Sequence, residues 1–448
     1  MLINFEVENF LSFNEKNIFS MKANKGTRLN EHLIDLNRYK ITKNAFIFGA
    51  NASGKSNFIK CFSFLKHIIL NKFDGSIIDK KFFRLNADCS NKDSFFSLTI
   101  KTNNKTYKYD LSFSYSKKII TYEKLTWLAT KDVVIFERKL NNGVIEILTA
   151  FKFKSKDEDL KFFESFVKSY NNVDNLKMYK TLFLSDMCNR SPKGSDYFSH
   201  YINVIDWFQK LVILFPSSEY GNFNKLLESE KKEDFVKTLE CFDTGVINVK
   251  PISLDFDEVI SKVDKNDSEE LKEEILNHLE KGPVSLRMNT LLVTMKKENE
   301  NIEVTQLLLD HGSKDYFFDL TDESDGTRRL FDLIPLYFII KDDCVILIDE
   351  IDRSLHTKLV KEFLKIFFER NRDSKSQLIV TSHDVNLLDL DFIRQDEIWF
   401  INKEFGKGSS FFSLKDVNLR FDKRLIKDYI NGEFGGVPNF NYFVKNKN

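Results

Sequence analysis

The chain has 448 residues, with Lys plus Arg equal to Asp plus Glu at 67 each, 42% hydrophobic residues and 30% charged ones. That balance excludes a disordered or fibrous chain and supplies no overall positive field for nucleic acid, and the length exceeds the roughly 250–300 residues at which single cores stop growing, so two lobes are expected. Five scattered cysteines without a CxxC pair argue against a disulfide framework or a zinc site, and the absence of an export signal or an uninterrupted apolar span fits a reducing cytoplasm with no membrane contact.

Ile3, Phe5 and Val7 alternate with polar residues, and Ala45-Phe-Ile-Phe is an apolar run stopping at Gly49, so the first fifty or so residues read as strands, the last of them buried. From Phe82 to Ile147 aromatic and β-branched residues alternate with polar ones, broken by turn formers at Asn103-Asn104 and Asn141-Asn142-Gly143, the pattern of an antiparallel meander. Helical spacing takes over from Lys154 to Lys281, in Leu160, Phe163, Phe166 and Val167 and again from Glu269 to Leu279. Breaks at Pro192, Pro216, Asp243-Thr244-Gly245 and Pro251, with no sustained heptad, argue against a long coiled-coil arm. Strand patterns return from Leu291 to Asp319, and from Leu320 to Asp391 strands alternate with helices, as parallel α/β layers require. The expected division is 1–150, a helical insertion over 151–285, and 286–448.

Gly49-Ala50-Asn51-Ala52-Ser53-Gly54-Lys55-Ser56 fits GxxxxGK[ST] and lies between an apolar strand and an amphipathic helix bearing Phe58, Ile59, Phe62 and Leu65. In a P-loop the glycines let the backbone wrap around phosphate, amides at the helix start through Asn57 face the anion, Lys55 neutralises β/γ charge and Ser56 ligates magnesium. The plain alternative is a chance glycine-rich turn. Cys344-Val-Ile-Leu-Ile-Asp349-Glu350 is a buried strand ending in two carboxylates. Alternation along a strand would send Asp349 to the metal shell and Glu350 to the attacking water. Otherwise this is a core strand followed by a helix capped by Asp349 or Asp352.

Gln377-Leu-Ile-Val-Thr-Ser-His383-Asp384 is a second apolar strand, ending in a histidine that can hydrogen-bond a γ-phosphate or be merely structural. Between Asp349 and His383 there is room for one helical crossover of a parallel sheet. Upstream, Thr321-Asp-Glu-Ser324-Asp325-Gly326-Thr327-Arg328-Arg329 opens an apolar helix beginning at Leu330; Ser324 to Gly326 can bind phosphate through amides and hydroxyl, or can simply start a helix. Asp389 and Asp391 are read as solvent-facing rather than metal-binding.

Together these stretches resemble the ABC ATPase head, with Walker A, signature, Walker B and switch histidine in that order, and the long separation of Lys55 from Asp349 resembles the split heads of SMC and RecF relatives. Closer still, Asn9-Phe-Leu-Ser-Phe13, the P-loop, Ser324-Asp-Gly-Thr-Arg328, Ile348 to His356, Thr381-Ser-His-Asp384 and Tyr429 to Pro438 resemble the "AAA family ATPases" of abortive-infection and phage-defence loci, the OLD-like group that includes RloA. The resemblance implies an α/β fold, a split ABC-type head with an antiparallel β subdomain and an inserted, mainly helical lobe.

It also implies ATP and Mg2+ as cofactors. A homodimer or higher oligomer would hold each nucleotide between the P-loop of one chain and Ser324, Asp325, Gly326 and Arg328 of the other, with Ser354 to His356 as the D-loop, Glu350 and His383 catalytic, and Ser56 and Asp349 on the metal. No glutamine is assigned to a Q-loop, and Leu11 stands where many relatives carry a basic residue. A separately encoded effector, nuclease or toxin, and a phage protein or nucleic acid as trigger are the implied partners, since no Toprim domain follows His383. The competing implication is a RecF/SMC-like DNA-binding ATPase in repair. A transporter subunit fits poorly, because the motifs are widely split and the features that couple to a transport domain are missing.

Overall fold

The computed structural model describes all residues except 154–157, 171–175, 193, 218–228, 262–271, 273–274, 277–278, 281, 283, 289–290, 299–300, 405, 418–424 and 436–448. Along the chain run β1 (Leu2–Glu8), β2 (Asn17–Ser20), β3 (Leu33–Asp35), β4 (Lys40–Thr42), β5 (Asn44–Phe48) and α1 (Lys55–Leu70). Next come β6 (Ser94–Thr102), β7 (Lys105–Ser114), β8 (Ile119–Trp127), β9 (Val133–Asn141) and β10 (Val144–Leu148), followed by α2 (Glu158–Tyr170), α3 (Phe183–Arg190) and α4 (Asp196–Gln209). The middle holds β11 (Val212–Leu214), α5 (Ser229–Cys241), β12 (Asn248–Leu254), α6 (Phe256–Ser261), β13 (Val284–Met288), β14 (Leu291–Glu298), β15 (Asn301–Asp310) and α7 (Asp325–Leu333). Last are β16 (Val345–Ile348), α8 (Thr357–Arg370), β17 (Gln377–Thr381), β18 (Ile398–Glu404), β19 (Gly408–Ser413) and α9 (Leu425–Ile430).

The chain forms two compact units, Met1–Ile213 with Asp342–Glu350 and Lys375–Asn448, and Leu214–Lys341 with Ile351–Ser374. Helix α3 is tied to the meander, where the buried Glu123 carboxylate of β8 accepts the Phe183 and Leu184 amides at 2.7 and 2.9 Å. Burial pushes the Glu123 carboxyl up, against the nearby Arg138 charge.

The first unit contains a seven-stranded sheet ordered β10-β9-β8-β7-β6-β1-β2. Two of its hairpin turns use paired left-handed residues, Asn103 and Asn104 with φ 45 and 60°, and Asn142 and Gly143 with φ 49 and 82°. A second sheet is ordered β11-β16-β17-β5-β18-β19, with β16, β17, β5 and β18 parallel and β19 antiparallel to β18. Helix α1 joins the two sheets through aromatic contacts: Phe62 meets Phe5 of β1 at 4.5 Å and Phe58 meets Phe411 of β19 at 5.2 Å. Phe5, Phe58 and Phe62 are fully buried, and each such ring contributes about 1.5–3 kcal/mol by leaving water. The tail folds back onto β18, Phe400 stacking on Tyr429 and Phe434 at 5.1 and 5.5 Å; Gly436, Val437 and Pro438 of the expected tail motif lie outside the described residues.

The second unit holds a four-stranded antiparallel sheet, β12-β15-β14-β13, over a core of Val259, Val293, Met295 and Val304. Pro251, expected to break a helix, lies instead in β12 opposite Leu307. It is tolerated because β12 is an edge strand, where the missing amide interrupts no ladder on its outer side. Most of the helix expected over Glu269–Leu279 lies outside the described residues. Among the described residues no helix is long and apolar enough to cross a membrane.

Candidate nucleotide site

In the first unit three loops leave the carboxyl ends of adjacent parallel strands β16, β17 and β5, the edge where open α/β sheets expose ligand sites. The loop after β5 is the glycine-rich segment. Ala52 takes φ 60° and Gly54 φ 119°, so the chain curls before α1 starts at Lys55. A Cβ on Gly54 would lie 2.4 Å from Ser409 Oγ and 2.8 Å from Ser12 Oγ, so the position requires glycine on both conformational and steric grounds. Ser409 Oγ donates to the Ser53 carbonyl and braces the loop from β19. Lys55 is buried, and its ammonium donates to the Gly49 and Ala50 carbonyls at 2.6 and 3.1 Å. Asn51 and Ala52 are exposed at the tip, while Ser56 and Asn57 are half-buried in the first turn.

The second loop follows β16. The strand ends at Ile348, and Glu350 adopts φ 49°, so Asp349 and Glu350 do not alternate as strand residues; the chain turns between them. Asp349 is buried and accepts from the Thr381 hydroxyl at 2.6 Å, and the same Thr381 oxygen accepts the Glu350 amide at 2.8 Å. Neither Asp349 nor Asp352 caps the following helix. His356 does, its ring nitrogen accepting the Lys358 amide.

His383 leaves β17 with Nδ1 3.4 Å from Lys55 Nζ and Nε2 3.9 Å from Glu350 Oε1. Both His383 and Glu350 side chains are about a third exposed, at 37% and 35%, so they remain open to a ligand while Asp349 does not. The fold thus brings Lys55, Asp349, Glu350 and His383 together. It adds Thr381, whose bridging role no sequence pattern announces beyond a hydroxyl at the end of an apolar strand, and Ser12 and Ser409, which only tertiary contact brings to the loop. The Asp391 side chain is 88% exposed and pairs with Arg28 at 2.7 Å.

The chemistry of the loop fits an anion. Ser53 Oγ is buried without a hydrogen-bond partner and sits where a Cβ on Gly49 would be 2.7 Å away, inside the curl. A buried hydroxyl left so is costly unless a ligand or water completes it.

In the second unit Ser324 caps α7, its hydroxyl accepting the Thr327 amide at 3.1 Å, and the helix begins at Asp325 rather than at Leu330. It ends at Leu333 because Pro335 follows in a 3-10 turn. Arg328 pairs with Asp325 and donates to the Thr321 carbonyl at 3.3 Å. A Cβ on Gly326 would lie 3.0 Å from the Ser354 carbonyl, so the small residue admits the Ser354–His356 loop against the start of α7.

A split α/β head with a P-loop, a carboxylate pair and a strand-end histidine on adjacent parallel strands defines an AAA/ABC-type ATPase domain. The chain belongs to the family described as "AAA domain, putative AbiEii toxin, Type IV TA system", whose model matches residues 45–389. No curated protein matches the sequence. Among solved structures it is similar to an SMC head bound to the C-terminal winged-helix domain of ScpA, at 12% identity and TM-score 0.42 over 95% of this chain and 99% of that one. It is also similar to the SMC head domain from Thermotoga maritima, at 12% identity and TM-score 0.37 over 93% and 99%.

Proposed function

We propose that this chain binds ATP with magnesium, hydrolyses ATP between two copies of its head, and acts as the sensor or switch subunit of an antiphage, abortive-infection system that controls a separately encoded effector such as a nuclease or toxin. The observation that carries the catalytic part is the position of His383, 3.4 Å from Lys55 and 3.9 Å from Glu350, beside the buried Asp349–Thr381 pair. In this reading the amides and hydroxyls of Gly49 to Asn57 cradle the phosphates and Lys55 neutralises them. Asp349 and the Ser56 hydroxyl are oxygen donors of the kind Mg2+ takes, and the bound ion supplies charge neutralisation across the phosphates.

Glu350, turned out of the strand and open to solvent, orients the attacking water, and His383 hydrogen-bonds the γ-phosphate. Ser324, Asp325, Gly326 and Arg328 of a second copy close over the nucleotide. The defence role is read from the wording of the family description, a putative AbiEii toxin and a type IV TA system.

The experiment is an affinity pull-down of the Glu350→Gln protein from its native cells with ATP and magnesium, with mass spectrometry of what co-purifies. A stoichiometric nuclease or toxin encoded next to this chain is the expected result. Recovery of chromosomal DNA with repair proteins would replace the defence reading with DNA repair.

A further inference from the structure

The last turn of α1 borders a cavity of about 740 Å3 in the first unit, lined also by the segment from Lys177 to Leu182 and by α3. The volume lies within the roughly 300–1,000 Å3 typical of small-molecule sites. Its walls are fixed without any ligand. Ser185 Oγ donates to the Ile69 carbonyl at 2.7 Å, and the buried Arg138 guanidinium donates to the Met178 carbonyl at 3.1 Å. Glu123 pins the first turn of α3.

Charge on this wall is unbalanced. Four cations, Lys72, Lys177, Lys180 and Arg190, line it against two carboxylates, Asp74 and Asp186. Both carboxylates are already engaged: Asp186 accepts from the Tyr170 hydroxyl at 2.8 Å and pairs with Arg190 at 2.9 Å, and Asp74 accepts from the Ser76 hydroxyl at 2.6 Å. Lys72 and Lys177 have no ion-pair partner among the described residues, and Lys180 lies near enough to Asp74 for the two charges to interact.

Solvated surface lysines are common, and Lys72 also suits the negative end of the α1 dipole. Two features go beyond that. Three lysines line one concavity, and its lining also includes the apolar Phe73, Met178 and Leu182, at 5%, 8% and 2% exposure. A lining of cations and apolar side chains is complementary to a ligand with a flat apolar part and a phosphate. We propose that this cavity binds a phosphorylated small molecule of mononucleotide size, at a site separate from the P-loop.

The test is calorimetric titration of AMP, and separately of inorganic pyrophosphate, into the Lys55→Ala protein, which removes the P-loop lysine from the measurement. One saturable equivalent per chain is expected for at least one of the two. The Lys177→Glu/Lys180→Glu change in the same background weakens it by about tenfold or more for each lost charged contact. These lysines are exposed, so folding is retained and is checked by an unchanged thermal midpoint. Absence of saturable binding of either probe, or binding indifferent to the charge reversal, overturns the proposal. Failure of the wild-type protein to bind ATP would instead strike the P-loop reading and leave this titration unaffected.

Discussion

Replacing Thr381 with valine keeps the volume and the β-branch but removes an oxygen that bonds both Asp349 and Glu350. The Asp349 carboxylate is buried, so loss of a 2.6 Å bond to a charged acceptor costs about 1.5–3 kcal/mol. The Glu350 amide loses its acceptor as well, and because it is only partly buried its contribution is smaller, giving a destabilisation of about 2–4 kcal/mol in all. Glu350 holds a left-handed φ of 49° that this hydrogen bond helps maintain, so its carboxylate also shifts. Misplacement of a water-orienting group by about 1 Å lowers turnover by up to about a hundredfold. The assays are urea unfolding and magnesium-dependent ATP turnover, with Thr381→Ser as the control that retains the oxygen. Near-normal serine and defective valine proteins are expected in both assays. Equal behaviour of the two would refute the bridging argument.

Gly54→Ala forces φ 119° on an L-residue and drives a Cβ to 2.4 Å from Ser409 Oγ, so a lowered melting temperature worth about 1–3 kcal/mol and loss of ATP binding are expected from calorimetry. Gly326→Val pushes on the Ser354 carbonyl, 3.0 Å from the added Cβ; about a tenfold or greater drop in turnover with ATP affinity of the monomer unchanged is expected, measured by steady-state kinetics beside equilibrium binding. His200, packed against Trp127 and bonded to Tyr107, has its pKa lowered to about 4, first by burial and then by Lys105. Its unfolded value is near 6.5, so the unfolded chain binds this proton first; the stability that the neutral ring contributes is present above about pH 6.5 and lost as pH falls toward 4. Chemical denaturation at several pH values should lose about 2 kcal/mol across that window in the wild type, and less in His200→Phe.

The parts of the site that were legible in the sequence are those whose chemistry is local. A P-loop works through consecutive backbone amides, so Gly49 to Ser56 declares itself, and apolar strands ending in Asp349 or His383 are readable because parallel strands are buried on both faces. Paired asparagines at the meander turns are legible for the same reason, since left-handed φ is a local demand. Strand alternation failed at Glu350, because β16 ends at Ile348 and Glu350 then takes a left-handed φ, its amide bonded to Thr381 of a neighbouring strand. Ser12 and Ser409 carry no pattern of their own and meet the P-loop only through folding. Pro251 was misread because proline is a helix breaker by propensity, whereas edge-strand position is a property of the finished sheet. His356, rather than an aspartate, capping α8 shows the same limit: any acceptor at the right φ/ψ can serve.

The most direct test of the account is the mass of the Glu350→Gln protein in solution, by light scattering, with and without ATP and magnesium. Doubling that appears only with nucleotide, and vanishes in both Lys55→Ala and Ser324→Arg versions of the same protein, is the predicted result. A mass indifferent to ATP, or doubling that survives Ser324→Arg, would contradict the composite site on which the proposed hydrolysis and switching depend.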